Sequence, residues 1–226
     1  MSGAGSPSAA SSRAAITFDC YGTLIDWDFG IATALSRIES LAGCDMQRLM
    51  ADRDAFEREI QLGDYVPYGE VLARSVARAA RAQDRVVSAA ESERFAQSMA
   101  AWPPFADSAY ALARLAKRFR LVVLSNVERA VLEASTRALG SPFDAWITAE
   151  DVRSYKPHPA HFEAAQRELG LDRASWLHVA ASVYHDIAPA RSLGIASTWV
   201  ARGAPRPAGI GRSVPDLKTL ADELVG

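Results

Sequence analysis

The stretch ITFDCYGTL, Ile16 to Leu24, places an aspartate at the end of a short apolar run and follows it with a Gly-Thr pair. The run itself, AAITFD from Ala14 to Asp19, is bounded by turn residues and reads as a strand buried on both faces. A tight turn after it can expose the Asp19 carboxylate to a cleft while the neighbouring residues stay packed. Taken alone, the same pattern also describes an aspartate capping a turn. Four more runs of this kind follow: LVVLSN (Leu121–Asn126), AWIT (Ala145–Thr148), WLHVA (Trp176–Ala180) and ASTWV (Ala196–Val200). Helical patterns lie between them, around Asp107–Phe119, Val127–Leu139, Pro159–Leu169 and Tyr184–Leu193. Such alternation predicts an α/β fold with a parallel sheet joined by right-handed crossovers. Ligands of such sheets bind beyond the carboxyl ends of the strands, where the strand order switches.

One segment breaks the alternation. From Phe29 to about Met99 there is no strand pattern, only three or four amphipathic helical ones, including IATALSRIESLAG, LMADRDAFEREI and VLARSVARAARA. Consecutive prolines in Trp102-Pro103-Pro104 then mark the return to the α/β pattern. The expected organisation is a flexible tail over residues 1–13, a core built from 14–26 and 103–226, and a helical cap over 27–102.

Length and composition set outer bounds. A chain of 226 residues with 49% hydrophobic and 23% charged residues suits one soluble α/β domain with an insertion. A formal charge of -2 gives no electrostatic reason to expect a nucleic acid or an anionic membrane as partner. Cys20 and Cys44 read as two reduced thiols, and no C-x-x-C or Cys/His cluster is present to hold zinc. No apolar run approaches bilayer length. The opening MSGAGSPSAASS lacks the basic start and apolar stretch of a signal peptide, so a cytoplasmic protein is expected.

Polar residues recur after the expected strands. Ser125-Asn126 ends the second, Ser154-Tyr155-Lys156-Pro157 supplies a lysine before a helix, and Ser182-Val183-Tyr184-His185-Asp186 follows the strand at Trp176–Ala180. Each has a plain reading as a cap, a surface lysine or a helix-dipole partner. Their convergence on the ends of parallel strands is harder to ascribe to capping.

With these motifs in this order, DCYGT at Asp19–Thr23, LSN at Leu124–Asn126, YKP at Tyr155–Pro157 and HD at His185–Asp186, the chain resembles the haloacid dehalogenase superfamily over nearly its whole length after the tail. The resemblance implies a Rossmann-like parallel-sheet core with an inserted helical cap domain. It also implies Asp19 as nucleophile, Thr23 and Ser125 as its hydrogen-bond partners, and Lys156 as a fixed positive charge. Most members of the superfamily are magnesium-dependent phosphatases, which need an acid two residues after the nucleophile; here that residue is Tyr21. The fourth motif contains only Asp186 as a carboxylate, a poor oxygen shell for magnesium beside Lys156. The Asp-x-Tyr-Gly-Thr pattern looks instead like the 2-haloacid dehalogenase branch, whose halide leaving group needs no proton. What this implies is a hydrolase of short 2-haloalkanoic acids, working through an aspartyl ester on Asp19 without metal or other cofactor. Asp186 would pair with Lys156 or help to activate water.

Some positions depart from the better-known L-2-haloacid enzymes of that branch. Ala181 and Val183 stand where the fourth motif carries serine and asparagine, and Phe162 where a tyrosine is usual. Ser182 and His185 occupy the loop instead, and His185 is a candidate water-activating base or substrate contact. His178, in the preceding strand, reads as a core or supporting group. The resemblance calls for a halide-binding arginine in the second cap helix, for which Arg53 is one candidate and Arg58 another. Tyr21, Asn126 and Trp27 complete the candidate substrate and halide contacts, Trp27 as an apolar wall where core meets cap. The expected partner is a small haloacid; a homodimer fits the resemblance and the amphipathic cap helices, without a residue pattern that specifies it. The readings kept beside this one are a magnesium-dependent phosphatase of the same superfamily and a non-catalytic binding protein with the same fold.

Overall fold

The computed structural model describes residues 14–140 and 142–226, so the tail expected over 1–13 lies outside the described residues. Its centre is a six-stranded sheet in the order β3-β2-β1-β4-β5-β6, with every pairing parallel. The strands are β1 (Ala15–Phe18), β2 (Arg120–Ser125), β3 (Ala145–Thr148), β4 (Trp176–Ala180), β5 (Ala196–Val200) and β6 (Ser213–Val214). β1 is buried along its length, which is why its residues are apolar on both faces. It lies between β2 and β4, with Phe18 in register with Val123 on one side and Val179 on the other. The residues following all three strands therefore emerge side by side. That point is also where the strand order reverses, the place such sheets use for ligands.

Between β1 and β2 the chain makes α1 (Trp27–Leu35), α2 (Met46–Gln61), α3 (Tyr68–Arg81) and α4 (Ala89–Ser98), with no strand among them. Side chains cap the starts of three of these helices. Asp26 accepts from the Phe29 N–H at the start of α1, Asp45 caps α2, and Ser88 with Glu91 forms a reciprocal capping box on α4. The continuous pattern IATALSRIESLAG is not one helix: α1 ends at Leu35 and a separate 3-10 turn spans Glu39–Leu41. The return to the sheet runs through Trp102, whose ring lies so close to Gly30 that a Cβ there would approach it to 2.5 Å. Only glycine permits this contact between α1 and the connecting segment.

The remaining helices are α5 (Ser108–Leu115), α6 (Arg129–Ala138), α7 (Ala149–Val152), α8 (Ala160–Leu169), α9 (Ala188–Ser192) and α10 (Leu217–Val225). The helical pattern at Tyr184–Leu193 divides into a π-helical turn, Val183–Ile187, and the short α9. Among the described residues, the two larger of three core clusters pack residues of the sheet against the helices. The larger joins Ile16, Phe18, Leu121 and Val123 to Leu112, Leu217 and the cap residues Leu49 and Val71; the other gathers Val122, Leu124, Ile147, Phe162 and Trp176. Among the described residues no helix is long and apolar enough to cross a membrane.

Candidate active site

The Asp19 N–H still bonds to the Val179 carbonyl, at 3.1 Å, and the chain then leaves the sheet in a turn where Gly22 adopts φ +85°. The turn folds Thr23 back under the aspartate. The Thr23 hydroxyl donates to Asp19 Oδ2 at 2.7 Å and itself accepts the Ala181 N–H at 2.9 Å, tying the turn after β1 to the loop after β4. Asp19 Oδ1 accepts from Lys156 Nζ at 2.9 Å. The same ammonium donates to Asp186 Oδ1 at 2.6 Å and to the Leu124 carbonyl at 2.8 Å, so its three protons have three acceptors. Lys156 and Asp186 are fully buried and Asp19 is 8% exposed.

Two carboxylates and one ammonium share this space, and burial acts on all three. For Asp19 burial is the largest influence and raises its carboxyl above the usual range, although Lys156 and Thr23 pull the other way. Burial also acts against Asp186, but there Lys156 and His178 prevail and hold it well below the usual range. Lys156 stays protonated, since its two carboxylates more than offset its burial.

Above Asp19 lies a cavity of about 250 Å³ between the strand ends and the cap helices, lined among others by Tyr21, Trp27, Tyr68, Met99, Ser125 and Val127. Four buried atoms of its lining residues, Arg53 Nε, Ser125 Oγ, His185 Nε2 and Asp186 Oδ2, have no hydrogen-bond partner. They come from α2, from the end of β2 and from the turn after β4. A buried polar atom left bare costs roughly 1–3 kcal/mol, so four around one cavity mark a place for a polar ligand or water.

The residues picked from the sequence converge here. Asp19, Tyr21, Trp27, Arg53, Ser125, Asn126, Lys156, Ser182, His185 and Asp186 all line the cavity, and Thr23 lies directly beneath it. Their bonding alters several expected roles. The Asn126 amide is occupied by the Lys156 backbone, accepting from its N–H at 2.7 Å and donating to its carbonyl at 3.1 Å, so it positions the lysine loop. Ser182 caps the π-helical turn, accepting from the His185 N–H at 3.0 Å and meeting His185 Nδ1 at 3.1 Å. The Tyr21 hydroxyl bonds to Ser135 Oγ at 2.6 Å, and burial raises its pKa against the pull of that bond. Arg53 is fully buried and ion-paired with Asp54 and Glu57, its guanidinium 5.6 Å from the Trp27 ring. Its Nε is buried in the cavity lining without a hydrogen-bond partner, so it keeps a donor for an anion. Arg58, one turn further on, lines the same cavity.

Sequence reasoning missed Glu57 and Tyr68, which bond to each other at 2.6 Å in the cap wall. It also missed His161, fully buried, whose Nε2 is 3.1 Å from the Ser125 carbonyl. The helical spacing of the cap residues carried no sign of which would face the core. No group of three or more possible metal ligands occurs among the described residues. Lys156 Nζ stands within 2.9 Å of both carboxylates, where a divalent cation would need them. The donor set does not fit magnesium.

The sequence profile of the haloacid dehalogenase-like hydrolases matches residues 14–194. The chain is 25% identical over 193 residues to haloacetate dehalogenase H-2 of Moraxella sp. (strain B), covering 83% of this chain and 85% of that one. It is 27% identical over 192 residues to an (S)-2-haloacid dehalogenase of Xanthobacter autotrophicus, with 83% and 75% covered. The solved structure of the L-2-haloacid dehalogenase from Xanthobacter autotrophicus with chloropropionic acid covalently bound superposes with a TM-score of 0.79 at 21% identity, over 95% of this chain and 99% of that one. At that identity the superposition shows a shared fold.

Proposed function

Since the chain belongs to the haloacid dehalogenase-like hydrolases, we propose that it hydrolyses short 2-haloalkanoic acids to 2-hydroxy acids, through an ester on Asp19 and without a metal ion. The observation that carries this reading is the pairing of an Asp19 held by Lys156 and Thr23 with a Tyr21 whose hydroxyl is tied to Ser135. A phosphate or alkoxide leaving group needs an acid at that second position. A halide leaves without a proton.

In the first step a carboxylate oxygen of Asp19 attacks the halogen-bearing carbon. The carbon–halogen bond breaks and the halide departs with its electron pair. Lys156 keeps a positive charge beside the nucleophile, and the cavity excludes bulk water during the attack. In the second step water adds to the ester carbonyl of Asp19. The carbonyl–alkoxy bond then breaks, releasing the 2-hydroxy acid and restoring the carboxylate. The net change consumes one water and yields halide, 2-hydroxy acid and one proton.

The water's proton goes to His185. Burial holds this imidazole below its ordinary value, so it is neutral at pH 7, and its Nε2 is bare at the cavity. Asp186 is the weaker base because Lys156 and His178 keep it so acidic. The Ser125 hydroxyl, also bare, receives the substrate carboxylate. Arg53, with its bare Nε in the cavity lining and its guanidinium against the Trp27 wall, takes the halide-guiding role, and Arg58 is the second candidate. The dehalogenase reading is also supported by two relatives named for dehalogenation of haloacetate and of (S)-2-haloacids.

Halide release from chloroacetate, 2-chloropropionate and fluoroacetate, with chelator present and a phosphate ester as control, tests the reading. Halide with no metal added is the expected result. Phosphate release that depends on magnesium would replace it with the phosphatase reading.

A further inference from the structure

A second line of polar groups runs away from the cavity, behind Asp186. His178 Nε2 lies 3.1 Å from Asp186 Oδ1, and His178 Nδ1 lies 2.7 Å from Thr17 Oγ1. Thr17 and His178 are partners in register across β1 and β4, and the Trp176 indole N–H donates to the same Thr17 oxygen at 2.8 Å. Phe162 on α8 meets the edge of the His178 ring in a T-shaped contact at 4.9 Å. Thr17, His178 and Asp186 are fully buried, and neither Thr17 nor His178 lines the cavity.

The proton positions along this line follow from which atoms can donate. An indole N–H only donates, so the Thr17 oxygen accepts from it. An ionised carboxylate only accepts, so His178 Nε2 carries a proton and gives it to Asp186. With the ring neutral, Nδ1 must accept, and the single Thr17 hydroxyl proton points at it. This assignment gives a partner to every polar atom from the Trp176 indole to Asp186 Oδ1.

Asp186 Oδ1 thereby receives two hydrogen bonds, one from His178 and one from Lys156, while Oδ2 is left bare at the cavity. We propose that His178 is a positioning residue: it orients Asp186, and through it aims the Lys156 ammonium at Asp19. The proposal rests on Asp19 and Lys156 being the reacting pair, as argued above. The groups that face Asp186 are Lys156, Asp19 after β1, His178 on β4, His185 in its own turn and His161 on α8. Of these, His178 bonds Asp186 from outside the cavity. Its loss should let the Asp186 carboxyl rise, because one of the bonds favouring the charged form is removed.

Three measurements test this. Nitrogen-15 chemical shifts of the unmodified protein should show His178 protonated on Nε2 and bare on Nδ1; the opposite tautomer overturns the proposal without any variant. His178→Phe should lower kcat for halide release about tenfold or more with KM within about twofold, a change that corresponds to losing one hydrogen bond to a charged group. In that variant the carbon-13 titration of the Asp186 carboxyl should move to higher pH, and His178→Gln should restore part of both that titration and kcat. Unchanged titration and kcat in a folded His178→Phe overturn it. Should that variant not fold, Thr17→Val, which keeps the imidazole and removes its donor, should lower kcat in the same direction; an unaltered kcat there counts against the relay. If the unmodified protein releases no halide from any haloacid, the dehalogenation reading fails, and the tautomer and carboxyl titration still decide the role of His178.

Discussion

Asp19 sits between two opposing influences, a buried setting that favours its acid form and a lysine that favours the carboxylate. Burial is the larger, so the carboxyl is raised above its ordinary value of 3.8. Only the ionised form attacks carbon. Ester formation should therefore fall off on the acid side at a pH above that ordinary value, which single-turnover halide release across pH measures. Replacing Lys156 by Met should abolish that step and also destabilise the fold by about 3–5 kcal/mol in chemical denaturation, since it leaves buried carboxylates without their cation. Much of this arrangement was legible in the sequence. Asp19, Lys156 and Asp186 stand at the ends of recognisable strands and loops, and the register of β1 with β2 and β4 brings such ends together. The role of Asn126 was not legible, because it depends on what a neighbour demands: its amide is taken up by a backbone peptide.

At the scale of elements, α1 and the segment that returns from the cap are locked by one close approach. A Cβ at Gly30 would meet the Trp102 ring at 2.5 Å, and Trp102 packs edge-on against Trp27 at 5.0 Å. Gly30→Ala should cost about 1–3 kcal/mol by overpacking, and should raise KM more than it lowers kcat, because the displaced ring moves the Trp27 wall of the cavity. A thermal melt and steady-state kinetics separate the two effects. Strands with an unbroken apolar run were readable within about a residue at either end. β6 was not, being two residues long inside a glycine- and proline-rich stretch, and α10, whose Leu217 and Leu220 bury against the core, was overlooked with it. The division at Tyr184–Leu193 has a local cause: Ser182 caps a π-helical turn that turns Asp186 inward, and Pro189 opens the helix that follows. Periodicity does not distinguish such a turn from ordinary helix.

For the whole molecule, the cavity exists because two bodies of side chains meet over the sheet. The Glu128 carboxylate at the start of α6 accepts the Gly69 N–H of α3 at 3.0 Å, and the Tyr155 hydroxyl donates to the Val66 carbonyl, so the loops that carry the site also hold the cap helices. Stability should follow the buried histidines. Burial lowers His161 to about 3 from an ordinary 6.5, so the unfolded chain binds the proton that the folded one refuses between those values. Stability conferred by the neutral ring is complete above pH 6.5 and declines as pH falls toward 3, by up to about 1.4 kcal/mol per pH unit. His185, lowered for the same reason, adds in the same direction. Urea midpoints between pH 7 and 4 should show this slope, and His161→Gln should flatten it.

The central claim is that Asp19 carries the substrate as an ester whose own carbonyl is attacked by water. A single turnover of 2-chloropropionate by excess enzyme in heavy-oxygen water, followed by mass spectrometry of the peptide containing Asp19, tests it most directly. The account predicts the label in the Asp19 carboxylate and unlabelled hydroxyl oxygen in that first product. Label in the product hydroxyl with Asp19 unlabelled would mean that water attacks the substrate carbon directly, and would contradict the account.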